Sequence, residues 1–168
     1  MAWGLIYLGL VKMLVGREAA AREHFDEALA SAQQSNDRFT EGGVYNFLGL
    51  GLTLARNRAG RASAWRAVQL LHAQGFTLGT TTALEVLAAQ AGLHARYAEA
   101  AQLIGAAQAQ RSATANTATT IHHADYNRLF DMARGPLDQG SFAAACAAGR
   151  ALTSEQVLAL AEQVSAGD

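Results

Sequence analysis

A set of large and small apolar residues returns along this chain at an interval of about 40 residues. One copy comprises Leu5, Leu8, Gly9, Ala21, Phe25 and Ala28; another comprises Leu84, Leu87, Ala88, Ala100, Ile104 and Ala107. Within each copy these residues fall at positions 4, 7, 8, 20, 24 and 27. A middle copy, Tyr45, Leu48, Gly49, Ala64, Val68 and Leu71, keeps the order if its internal turn carries three extra residues around Asn57–Ala59. The spacing has a packing reason. Two helices that pack back on each other must approach closely at positions 8, 20 and 27, so those are Gly or Ala. Large residues at 4, 7 and 24 fill the space around that contact.

The offsets are those of a tetratricopeptide-type helical pair. They predict an all-α fold, a tetratricopeptide-like α-solenoid of about three helical pairs. Solenoid helices are expected at roughly 3–14, 17–35, 39–56, 60–75, 80–92 and 95–112. Three shorter helices are expected to follow, at about 122–134, 139–149 and 153–165, as a C-terminal cap. The domain reading is therefore repeats over 1–112, a Thr-rich linker over 113–121, and capping helices over 122–168. Thr153 and Gln156 have the spacing of a helix-start capping box. A single Pro, frequent Ala and no alternating β-branched runs agree with helix throughout.

The net charge of −1 gives the chain no electrostatic reason to seek nucleic acid or an anionic membrane, so neither is expected as a direct partner. One cysteine, Cys146, excludes an internal disulfide framework and fits a reducing cytoplasm. Residues 1–16, MAWGLIYLGLVKMLVG, have no basic stretch before the apolar run, and Lys12 interrupts it. The segment reads as the first helix of the first repeat rather than a signal peptide or a membrane span.

No catalytic, cofactor or metal constellation emerges. His122 and His123 are helix neighbours pointing about 100° apart, which is poor geometry for a shared metal. Cys146 lies in the Ala-rich run 142–148 and reads as a buried, inert thiol. The turn bearing Arg56, Arg58, Arg61 and Arg66 reads as solvated, with Trp65 packing into the repeat. A non-enzymatic module without cofactors is expected.

In such repeats the first helix of each pair lines the concave face, at positions 2, 5, 9 and 12. The groove is apolar at its first end and carries Asn46, Thr53, Thr82 and Glu85 as polar points beside Leu50. It suits an apolar peptide, a partner helix or a small neutral effector. Trp3, Ile6, Leu10 and Met13 occupy the same positions in the first helix. They read either as a self-association surface or as the face an upstream repeat would cover. A helix apolar nearly all round needs cover on more than one side, so a homodimer through the first two helices is expected.

Residues 83–112 and 122–163 also resemble the C-terminal tetratricopeptide-like region of bacterial STAND-type ATPase and LuxR-family transcriptional regulators, some of which carry adenylate-cyclase-like domains. The resemblance rests on Leu103-Ile104-Gly105-Ala106-Ala107, Ala124-Asp125-Tyr126, Phe142-Ala143-Ala144-Ala145 and Gly149-Arg150-Ala151-Leu152-Thr153. It implies an effector-sensing or protein-interaction module of a transcriptional regulator, acting with a protein partner or with its own upstream domains. A free-standing adaptor binding a protein partner is the alternative. The chain departs from the family pattern where Cys146 replaces the usual Trp and where ATANTATT replaces a Pro-Pro stretch. It also contains no Gly-x-x-x-x-Gly-Lys-Ser/Thr loop, so no nucleotide chemistry is expected of it.

Overall fold

A computed structural model describes residues 2–113 and 123–166, and the described residues form nine α-helices and no strand. These are α1 (Ala2–Leu14), α2 (Glu18–Gln34), α3 (Arg38–Leu54), α4 (Gly60–Ala73), α5 (Thr77–Leu93), α6 (Tyr97–Ala113), α7 (His123–Arg134), α8 (Gln139–Arg150) and α9 (Ser154–Ala166). Their bounds agree with the sequence reading to within a few residues, and the described residues are all-helical as expected. Residues 114–121 of the expected linker, and His122, lie outside the described residues.

The turns explain the even spacing. Gly16, Asn36, Arg56, Gly75 and Ala95 all adopt positive φ just after a helix, at intervals of 19 or 20 residues. At each, the next amide reaches back to close the helix end: Arg17 N to Lys12 O at 2.9 Å, Asp37 N to Ala32 O at 2.8 Å, Asn57 N to Leu52 O at 2.8 Å, Phe76 N to Leu71 O at 3.0 Å and Arg96 N to Ala91 O at 2.9 Å. These are Schellman closures, which satisfy carbonyls the helix leaves free. The three extra residues of the middle copy sit after Arg56. There the Asn57 side chain accepts from Ala59 N at 3.0 Å before α4 begins. Side chains start several helices: Asp37 accepts from Thr40 N, Asp138 from Gly140 N and Ser141 N, and Thr153 and Gln156 close the expected capping box.

Consecutive helices pack as α1 on α2, α3 on α4 and α5 on α6, and α1, α3 and α5 touch in order. The small repeat positions sit at the crossings. A methyl on Gly49 would stand 3.1 Å from the Ala64 backbone nitrogen, and one on Gly9 would stand 3.1 Å from the Phe25 ring. Ala88 is fully buried.

The last three helices pack on the α3–α6 end. Helix α7 lies on α5, with further contacts to α3 and α6; α8 crosses α6; α9 meets α4, α5 and α6. Three glycines let backbones touch there. Gly92 sits against the Met132 carbonyl, Gly105 against that of Cys146, and Gly149 against that of Gln102. No helix among the described residues is long and apolar enough to cross a membrane.

Candidate functional site: an aromatic pocket at the N-terminal ends of α1 and α3

Helix α3 begins with a stripe of residues four apart, Phe39, Gly43 and Phe47, with Asn46 beside it. Residues at this spacing share a helix face. Trp3 and Tyr7, also four apart, bring a second pair of rings from α1. Phe76, immediately before α5, brings a fifth. The rings interlock: Tyr7 to Phe47 at 5.2 Å between centroids, Trp3 to Phe39 at 5.7 Å and Phe39 to Phe76 at 4.8 Å. Most cross at steep angles, the arrangement their quadrupoles favour.

Two glycines make room for this cluster. The Trp3 ring lies over Gly43, where an added methyl would stand 2.7 Å from it, and the Phe76 ring lies over Gly79. What remains is a cavity of about 290 Å³, lined by Trp3, Tyr7, Phe39, Gly43, Asn46, Phe47, Leu71, Phe76 and Gly79. No charged side chain lines it. Asn46 is its one amide. Asn46 is 95 % buried, and its Oδ1 has no hydrogen-bond partner. A buried carbonyl left unpaired carries a desolvation penalty of about 1–3 kcal/mol. Because Oδ1 has almost no exposed surface, a ligand donor recovers that penalty only once the amide turns toward the cavity.

Of the five expected concave-face residues, only Asn46 lines this pocket. Leu50, Thr53, Thr82 and Glu85 are buried within the fold and form no open groove. Their polar groups are spent internally. Thr53 Oγ1 donates to Gly49 O at 2.6 Å and accepts from Gln90 Nε2 at 2.9 Å. Thr82 Oγ1 donates to Leu78 O at 3.1 Å. Arg111, on α6, pairs with Glu85. Burial pushes the Glu85 carboxyl above its ordinary range, against the pull of Arg111. Helix α7 runs along α5 and was not expected there: its Met132 backbone covers Gly92, and its Arg128 donates to Leu54 O at 2.8 Å. Position 12 of the third concave stripe is therefore filled by the chain's own helix.

The expected self-association residues are also redirected. Ile6 and Met13 are buried, Trp3 and Leu10 half-buried, and this side of α1 faces α3. A methyl on Gly51 of α3 would stand 2.8 Å from the Met13 side chain and 3.6 Å from Leu10. The exposed side of α1 is instead the one bearing Tyr7, Leu8, Val11 and Leu14.

The arginine turn is dispersed. Arg66 reaches Glu41 at 3.8 Å, while Arg56 and Arg58 line a separate polar cavity with Arg128 and Asp131. Trp65 packs against the main core, as its sequence context implies. Cys146 is buried, and burial raises its thiol pKa, which leaves it unreactive as a nucleophile. Among the described residues no group of three His, Cys, Asp or Glu side chains has metal-binding geometry.

Sequence reasoning missed Phe39, Phe47, Phe76 and Gly79. The Phe39–Gly43–Phe47 spacing was the available signal, since a small residue between two rings on one helix face makes a notch. No family model, curated protein or solved structure matches this chain.

Proposed function

We propose that this chain is a non-enzymatic binding module, a tetratricopeptide-like α-solenoid whose open aromatic pocket receives an apolar group from a protein partner or a small neutral effector. The 40-residue recurrence and the ordered packing of α1, α3 and α5 support the solenoid reading. The resemblance of residues 83–163 supports a place in a cytoplasmic bacterial transcriptional regulator, as its sensing or interaction part. A free-standing adaptor would use the same pocket. A nucleotide-binding domain or a helix-turn-helix encoded in frame with this chain distinguishes the regulator from the adaptor.

The observation that carries the binding role is an uncharged aromatic cavity lined by Asn46, whose buried carbonyl has no partner within the fold. Such a site takes a ring or a branched apolar group bearing one hydrogen-bond donor. The test uses Trp3 as reporter in a Trp65→Phe background, titrated with the neutral amide N-acetylphenylalaninamide. A saturable change in Trp3 emission that is lost in Phe39→Ala is the expected result. Emission that does not respond, or that responds equally in Phe39→Ala, removes the pocket from the account.

A further inference from the structure

We infer that the polar cavity at the C-terminal end of α3 binds the phosphoryl group of a small phosphate monoester, with Arg56 and Arg58 as its anion-binding side chains. The cavity has a volume of about 650 Å³, and its lining includes Arg56, Arg58, Leu93, Tyr97, Arg128 and Asp131. That volume is within the range of small-molecule sites. The cavity opens at the opposite end of α3 from the aromatic pocket and shares no lining residue with it.

Three elements converge on it. The α3–α4 turn supplies Arg56 and Arg58, the end of α5 supplies Leu93, and α7 supplies Arg128 and Asp131. Arg58 is one of the extra residues that only the middle copy of the repeat carries. Arginines beside helix ends commonly serve the carbonyls left free there. Here those carbonyls already have partners. Gly51 O takes Ala55 N, Leu52 O takes Asn57 N, Thr53 O takes Arg56 N, and Leu54 O takes Arg128 at 2.8 Å. Arg128 is further engaged by Asp125 at 3.4 Å. Arg56, Arg58 and Asp131 form no ion pair among the described residues, although all three line one cavity. Arg56 also stands at φ 56°, the left-handed position that Gly16 and Gly75 take in other turns. An arginine holds that position at a strain that glycine would not carry.

The charges fit a dianion. Two guanidiniums without a carboxylate match the charge of about −1.5 to −2 on a phosphate monoester near pH 7. Their forked N–H groups match its oxygens. A single carboxylate would offset only one of them. Leu93 and Tyr97 add apolar surface for the organic part of the ester, and Asp131 offers an acceptor to a hydroxyl or ammonium group on it. The positive field reaches His94, next to Leu93. Burial lowers the His94 pKa, and the charges of Arg61, Arg58 and Arg96 lower it further, against a hydrogen bond to the Arg58 backbone. A nucleic acid fits less well, because Asp131 would meet its continuous run of phosphates.

The test is isothermal calorimetry with phenyl phosphate at constant ionic strength, on the parent, Arg56→Gly, Arg58→Gln and Asp131→Asn. Arg56→Gly removes a charge while relaxing the backbone, so its unfolding midpoint should not fall and lost binding is not lost fold. The parent should bind phenyl phosphate saturably, about tenfold more tightly than benzoate, which carries one charge. Arg56→Gly and Arg58→Gln should each weaken binding about tenfold. Asp131→Asn should tighten it, since phenyl phosphate has no donor for the carboxylate that is removed. No saturable binding by the parent, benzoate bound as tightly, an affinity unchanged in both arginine variants, weaker binding in Asp131→Asn, or a single-stranded oligonucleotide bound in preference to phenyl phosphate each overturns the proposal.

Discussion

Gly92 on α5 lies directly beneath the backbone carbonyl of Met132 on α7, closer than any side chain would permit. This contact seats α7 on the face where sequence reasoning placed an open groove. Gly92→Ala would drive a methyl into the Met132 carbonyl and force the helices apart. The expected cost is about 3 kcal/mol, at the upper end for overpacking because backbone has to move. Chemical unfolding checks it, and Gly79→Ala is the informative companion. There the obstacle is the Phe76 ring, which can swing, so the cost should be smaller.

The αL residues predict a stabilising change. Ala95 holds φ at 61° in a turn where Gly16 and Gly75 do the same work without a side chain. A non-glycine residue there costs about 1–2 kcal/mol. Part of that relief is offset by the greater unfolded-state freedom of glycine. Ala95→Gly should therefore raise stability by about 0.5–1 kcal/mol, read from the midpoint of a urea transition.

Much of the fold was legible because the interior alternates small and large residues at a fixed interval. Gly49 against Ala64, and Gly9 against Phe25, sit where the repeat positions require. The capping box at Thr153 and Gln156 was equally readable, being a local code. The site was less legible, for a physical reason. Repeat positions say which way a side chain points, not what will cover it. Glu85, Thr82, Thr53 and Leu50 do point along the inner helices, but the chain's own later helices enclose them. Trp3, Ile6, Leu10 and Met13 were read, from the same repeat positions, as an uncovered stripe open to a second copy or to an upstream repeat. Their true neighbour is the Gly43–Gly51 stripe of α3, whose glycines give the hollows those side chains enter.

Glu85 should leave a signature in the pH dependence of stability. Its carboxyl is raised above the ordinary value of 4.5, chiefly by burial, with Arg111 opposing and Tyr126 nearby. A carboxyl with a raised folded pKa contributes its stability below the unfolded pKa and loses it as pH rises through the folded one. The Glu85→Gln variant does not titrate there. The stability of the parent relative to Glu85→Gln should thus be greatest below about pH 4.5 and fall above it, by no more than about 1.4 kcal/mol per pH unit, before levelling off. Parallel unfolding series at several pH values check this. A relative stability that rises over the same range would show that the Arg111 pair outweighs burial.

The central claim is that the aromatic pocket binds a ligand through the unpaired Asn46 carbonyl. The most direct measurement compares indole with 1-methylindole, which differ in one N–H donor, by ligand-observed magnetic resonance titration of the parent and of Asn46→Leu. A hydrogen bond to that carbonyl is worth about 1.4 kcal/mol, so the parent should bind indole roughly tenfold more tightly than its methyl derivative. Asn46→Leu should lose that preference while still binding both. Equal affinities in the parent, no binding of either compound, or a preference for indole that survives in Asn46→Leu would contradict the account.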